Sequence, residues 1–181
     1  MELKKEDLRG TPLNEKEFRA GKVVTVDWEP DLRYSWDNGV GIGYYLSQLK
    51  AGKIAGSECT RCNIITLPPR AFCERCFKPT AGWVALKDTG TINTFSVSHV
   101  DWAARRLGEN DRPHTPAVIE IDGASPGHGI MHLIGEIEPY EIKIGMRVQA
   151  VWKPREERTG SITDILDFKP IPTPAAKGKK K

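Results

Sequence analysis

CTRCNIITLPPRAFCERC, residues 59–76, holds all four cysteines of a 181-residue chain. They form two C-x-x-C pairs, Cys59/Cys62 and Cys73/Cys76, with ten residues between the pairs. Two residues between cysteines let one tight turn aim both sulfurs at one ion. Two such turns on facing hairpins make a metal ribbon. Four soft thiolates in a tetrahedron select zinc or iron. The rival readings are a pair of disulfides, which a cytosolic chain disfavours, and redox dithiols, which call for a thioredoxin-like βαβ setting that this sequence lacks. Rubredoxin-type iron sites commonly carry glycine after the second cysteine of each pair, where the backbone turns left-handed. Asn63 takes that conformation at little cost and Phe77 does not, so zinc is expected ahead of iron. With all four sulfurs bound, no coordination position stays open and no cysteine nucleophile is left over.

Between the pairs, Ile64, Ile65 and Leu67 suit a short strand, and Pro68-Pro69 ends it and holds Arg70 on a rigid extended stretch. Arg61, Arg70, Arg75 and Lys78 read as solvated ribbon surface or as a phosphate-binding patch, since guanidinium forks match phosphate oxygens.

Upstream, Asn14 with Glu17 three residues on predicts a capped short helix that Gly21 stops. "VVTVDWE" then alternates like a brief strand or extended arm. In "WDNGVGIGYYLSQLKAGK" a helix starts at Asn38 or Gly39, places Tyr45, Leu46 and Leu49 on one face, and ends at Gly52. Gly39, Gly41 and Gly43 are not a nucleotide loop, because no apolar strand precedes them and no βαβ unit follows. They suit a turn that brings the helix close to another surface. Trp36, Tyr44 and Tyr45 are either core or a partner contact.

Downstream the pattern is all-β. "TINTFSVSH", "AVIEID", "IMHLIGEIE", "MRVQAVWK" and "SITDILDFK" alternate and are bounded by Gly or Pro. Five such strands suit a small closed barrel, with an OB-fold as first candidate. "DWAARRLGENDRPHTP" (101–116) is a long insert with a short helix expected at Trp102–Leu107. The fold class is thus mainly β: an N-terminal helical arm (1–52), a rubredoxin-like zinc ribbon (53–82), a five-stranded OB-fold barrel (83–170) and a disordered basic tail (171–181).

Charge narrows the function. Residues 50–82 carry +4, residues 83–170 carry −3, and the tail adds Lys177, Lys179, Lys180 and Lys181. A barrel that binds single-stranded nucleic acid needs a basic groove and stacking aromatics. This one is acidic and offers mainly Phe95, Trp152 and Phe168, so a nucleic-acid-binding module is the secondary reading. His99, His114, His128 and His132 read as loop or surface residues, and none pairs with a nucleophile in a motif. With no apolar stretch near the roughly 20 residues of a membrane span and no signal-peptide pattern in "MELKKEDLRG", a cytoplasmic protein is expected.

The order of parts adds to this. "LKAGKIAGSECTRCNIITLPPRAFCERC", "DTGTINTFSV", "PAVIEIDG", "LIGEI", "IKIGMRVQAVW" and "DFKP" resemble the zinc-ribbon plus OB-fold family of acyl-CoA-associated proteins, over about residues 33–170. Its members are non-catalytic partners of thiolases, of hydroxymethylglutaryl-CoA synthase and of steroid side-chain aldolases. The motif residues are Cys59, Cys62, Pro68, Pro69, Arg70, Cys73, Cys76 and Ile144 through Val148. The resemblance implies a thiolase-fold partner in a hetero-oligomer, which carries the carbon–carbon bond chemistry. It implies that a CoA thioester meets Arg61, Pro69, Arg70, Arg75 and Lys78, and that Trp36, Tyr44 and Tyr45 face the partner.

Overall fold

The computed structural model describes residues 14–23, 26, 33–101 and 103–172, and the chain divides into two units, Met1–Trp36 and Asp37–Lys181. In the first unit, helix α1 spans Glu15–Arg19. Its N-cap is Asn14, whose side chain accepts from the Glu17 amide at 2.9 Å, as the N-x-x-E spacing predicts. Most of the "VVTVDWE" strand and the lysine tail from residue 173 lie outside the described residues.

The second unit opens with helix α2, Gly39–Lys50, where the aromatic-glycine pattern placed it. It ends in a Schellman motif: the Gly52 amide donates to Leu49 O at 2.8 Å, the Lys53 amide to Gln48 O at 2.9 Å, and Gly52 takes φ +72°. Its inner face buries Gly41, Tyr45 and Leu49. A Cβ on Gly41 would stand 2.9 Å from the Pro69 carbonyl oxygen, whereas one on Gly43 would meet nothing within 4 Å. Only a bare Cα lets α2 lie on the Pro-Pro-Arg stretch. Gly41→Ala is therefore expected to destabilise the protein by about 1–2 kcal/mol, because overpacking outweighs the gain in helix propensity. Gly43→Ala should stabilise it by about 0.5–1 kcal/mol. Thermal melts of the two variants check the contrast, and equal shifts would rule out the close approach.

Strands β1 (Ile54–Cys59), β2 (Ile64–Thr66) and β3 (Gly82–Leu86) form an antiparallel sheet in the order β2-β1-β3. Strands β4 (Thr89–Phe95), β5 (Pro116–Ile121), β6 (Gly129–Leu133), β7 (Arg147–Trp152) and β8 (Ile165–Pro170) form a second sheet in the order β6-β5-β4-β7-β8. A parallel bridge between Ile134 and Phe168 joins its two ends. Meander first, then a return beside the first strand and a parallel closure, is the OB topology. Period-two alternation drives it: β5 buries every second residue, Ala117, Ile119 and Ile121. With Ile92, Ile130, Val148, Ile165 and Phe168 these fill the barrel, and Tyr45, Leu49, Ile54 and Leu67 belong to the same core. Each fully buried Ile, Leu or Phe contributes about 1.5–3 kcal/mol.

One polar device joins barrel to ribbon, and a second ties strands within the barrel. Ser125, in the turn between β5 and β6, donates its amide to Ile65 O at 3.0 Å and accepts the Ile65 amide on Oγ at 2.9 Å. The barrel turn is thereby clipped to the ribbon strand β2. Arg147, within the "IGMRV" turn, grips Asp122 with both guanidinium nitrogens, one at 2.7 Å, and also reaches Thr91 Oγ1 at 2.9 Å. These bonds hold the Asp122 carboxyl below its ordinary range, although burial works against them.

The helix expected at Trp102–Leu107 is not formed; Trp102 itself lies outside the described residues. The Asp101 carboxylate accepts the amides of Ala103 at 2.8 Å and Arg105 at 2.9 Å, Ala104 takes φ +60°, and Val100 bridges Arg106. The chain instead doubles back in a tight turn: the Asp101 amide donates to Arg105 O at 2.9 Å and the Leu107 amide to His99 O at 2.8 Å, and left-handed Ala104 breaks any helical run. No helix among the described residues is long and apolar enough to cross a membrane.

Candidate metal centre

Cys59 ends β1 and Cys62 follows the turn that leads into β2. Cys73 and Cys76 flank the second turn, which closes through a Phe72–Pro79 bridge. The Phe77 amide donates to Cys73 O at 2.9 Å, the Cys73 amide to Lys78 O at 2.8 Å, and the Arg75 amide points at Cys73 Sγ at 3.4 Å. All four sulfurs lie within 4.8 Å of one another, and Cys59 Sγ stands 3.7 Å from Cys76 Sγ. A tetrahedron with metal–sulfur bonds of about 2.3 Å has edges of roughly 3.8 Å, so the four sulfurs are close enough together to hold one M²⁺ ion. Cys59 and Cys73 are buried and Cys62 and Cys76 half-buried.

One expectation about the turns is corrected. Phe77 takes φ +54°, matching Asn63 at +53°. The paired hydrogen bonds of the second turn outweigh the roughly 1–2 kcal/mol that left-handed geometry costs a bulky residue, and the ring stays outside, 80% exposed. Both turns are equivalent, and the backbone no longer separates zinc from iron.

The thiols show why the site suits a cation. Without a metal, amides at Cys76 and Arg75 favour the Cys73 thiolate against its burial, bringing it down to about 7. The Cys62 thiol is pushed up to about 12, first by its hydrogen bond to Cys76 and then by burial. The Cys73 thiolate forms readily while hydrogen bonding and burial hold the Cys62 thiol protonated, and a bound dication would favour the thiolate of both. The four thiolates fit zinc, and a closed set of sulfur ligands gives it a structural role.

The other residues singled out in the sequence fall as follows. Arg61, Arg75 and Lys78 are exposed on the ribbon. Arg70 is exposed too, but its guanidinium pairs with Glu74 at 2.8 Å, and the other Glu74 oxygen lies 3.5 Å from His128 Nε2. Its backbone is fixed: the amide donates to Ser57 Oγ at 2.9 Å, and its carbonyl accepts from the Thr80 hydroxyl at 3.0 Å. Pro69 is fully buried, which corrects its place among ligand-binding residues; it is the surface on which α2 sits. Trp36 is exposed, and Tyr44 stacks on Trp83 with centroids 4.8 Å apart. Tyr45 is 4% exposed, and burial lifts its hydroxyl to about 12. Its ring packs in the core, a correction to its place at a partner surface.

Sequence reading missed Ser57, Thr80 and Ser125, which lock the ribbon through contacts that no local pattern announces. It also missed the buried Asp164, although S-x-x-D at Ser161–Asp164 is a legible capping box.

With this geometry in hand, comparison with known proteins is informative. A family model described as the C-terminal OB-fold domain of ChsH2 matches residues 83–153. A DUF35 domain-containing scaffold protein of Methanocaldococcus jannaschii is 32% identical over 121 residues, covering 65% of this chain and 82% of the relative. The chain belongs to the DUF35 family. Two solved DUF35 structures share its fold. One is a Sulfolobus solfataricus protein of unknown function, with TM-score 0.51 and 21% identity over 70% of this chain and 81% of that one. The other is the Ltp2–ChsH2(DUF35) aldolase, with TM-score 0.54 and 19% identity over 76% of this chain and 98% of that one.

Proposed function

We propose that this DUF35 chain is a non-catalytic accessory subunit of an acyl-CoA thiolase complex. The partner carries the thiolytic or Claisen-type carbon–carbon bond chemistry, and this chain helps to bind the CoA thioester and hold the complex together. The observation that carries the reading is the cysteine cluster. It gathers every thiol of the chain into one closed set and so leaves the catalytic nucleophile to a second polypeptide. Two relatives support it: one is named a scaffold protein, and the other is part of an aldolase with two named components. In length and cysteine set the resemblance runs to the small subunits of degradative thiolases, benzylsuccinyl-CoA thiolase among them. On this reading the cysteine cluster holds zinc, ahead of iron, and the ion acts as a staple for the platform.

On this reading Arg61, Arg70, Arg75 and Lys78 meet the phosphates of coenzyme A. Arg70 is the best placed, since its backbone is pinned on both sides and Glu74 pre-orients its guanidinium. Arg70→Ala should weaken acyl-CoA binding in the assembled complex by about three- to tenfold, the range of one exposed charge-assisted contact, with melting unchanged. Unaltered affinity by calorimetry would reduce Arg70 to ribbon surface. The reading as a whole is tested by mild affinity purification from the native organism at moderate salt, followed by mass spectrometry. A stoichiometric thiolase-fold protein, with turnover only when both chains are present, is the expected result. Turnover by this chain alone would overturn it, as would co-elution of nucleic acid and ribosomal proteins without such an enzyme.

A further inference from the structure

Beyond the end of β6 the chain pairs with β8 through the parallel Ile134–Phe168 bridge, and toward Met131 and Leu166 a gap opens beside it. A cavity of about 400 Å³ lies there, lined by residues of β6 and of β8 and by the loop between β7 and β8. Its walls are apolar side chains left in solvent: Met131 is 70% exposed, Leu133 43%, Ile162 40% and Leu166 48%. Clustered exposed apolar residues around a concave site mark a ligand groove rather than scattered surface hydrophobes.

The groove is preformed. Buried Asp164 accepts the amides of Thr159, Gly160 and Ser161 at 3.0, 2.7 and 3.1 Å and so fixes the loop that carries Ile162. Arg158 lies 5.4 Å over the Trp152 ring and donates from Nε to Lys153 O at 2.8 Å, which fixes the start of the same loop. His132 braces the opposite wall. Its Nδ1 accepts the Leu133 amide at 2.9 Å, and its Nε2 faces Ile162 O at 3.3 Å.

Lys153 is the one Lys, Arg, Asp or Glu in the lining. It enters no ion pair among the described residues. The neighbouring Asp164 carboxylate is buried and already takes three amides. An apolar trough with a single spare cation is complementary to an apolar group that ends in an anion. We infer that the gap between β6 and β8 is a binding site for a compact acyl or aryl carboxylate, with its chain on Met131, Leu133, Ile162 and Leu166 and its carboxylate on Lys153. The site stands apart from the ribbon, and the inference does not depend on the accessory-subunit reading.

The test is a titration of the metal-loaded full-length chain, followed by amide chemical shifts, with sodium 4-phenylbutyrate and with 4-phenylbutanol. The acid should shift the amides of residues 131–133 and 162–166 saturably and bind about tenfold tighter than the alcohol, the increment of one charge-assisted contact. Lys153→Gln should level the two probes. Met131→Glu, at an exposed position that leaves the core untouched, should weaken both without lowering the melting temperature. Equal binding of acid and alcohol to the wild type, shifts confined to other residues, or no saturable shift would each overturn the inference. So would an oligothymidylate that occupies the same amides and is not displaced by the acid.

Discussion

Cys73→Ser will lose the metal and most of the protein's stability together. Cys73 is buried at the centre of the sulfur cluster, and serine supplies a hard, protonated oxygen where a soft thiolate is needed. The apparent free energy of a structural zinc site is about 10–16 kcal/mol, comparable with the whole 5–15 kcal/mol margin of a typical fold. Even a net loss of about 5 kcal/mol lowers the melting temperature of a chain this size by roughly 10–20 °C. The expected result is near-zero metal by elemental analysis and a melting curve that is shifted strongly down or no longer cooperative. The same elemental analysis on wild type separates colourless zinc from coloured iron, a choice the equivalent backbone turns at Asn63 and Phe77 leave to measurement. An unchanged melting temperature with full metal content would remove the staple from the account of this fold.

Asp164→Asn will be the second largest effect, about 2–4 kcal/mol, because an amide cannot satisfy three buried N–H donors as a carboxylate does. That is a fall in melting temperature of roughly 5–15 °C. The pH dependence identifies the cause. Burial opposes the Asp164 charge, but the amides of Thr159, Gly160 and Ser161 prevail and hold its carboxyl below the ordinary value. A group depressed in the folded state contributes stability that is complete above the unfolded value of about 3.9 and is lost as pH falls through the folded one. The stability lost by wild type on going from neutral pH to below pH 4 should therefore shrink in Asp164→Asn. Asp122 and Asp101, also depressed, would continue to titrate in both proteins. An identical acid profile in the two would show that Asp164 is not the ionised anchor described.

What was legible in the sequence depended on how local the physics is. The clustering of the four cysteines was legible, since two cysteines on one turn state their own geometry. The barrel was legible strand by strand because half-buried strands must alternate, as β5 does. β3 escaped because Gly82–Leu86 is neither buried on one face nor exposed on the other. The false helix after Asp101 came from good helix formers, and backbone pairing across the turn, Val100 with Arg106 and Leu107 with His99, folded them back instead. Tyr45 shows the limit of an apolar stripe, which announces burial without saying against what. The β6–β8 groove was invisible because its two walls are about thirty residues apart and only closure of the barrel brings Leu133 beside Ile162 and Leu166.

The clip between Ser125 and Ile65 also sets an order of events at the ribosome. The two partners are separated by 60 residues, so the ribbon's sheet, complete at Leu86, leaves the tunnel well before the turn that seats it. At about 5–20 residues per second the finished ribbon waits roughly 2–8 s, the time to add the residues from Leu86 to Ser125, with the Ile65 edge unpaired. Metal capture during that wait would make the ribbon the first finished piece of the chain, a preassembled base onto which the barrel is laid strand by strand as it emerges.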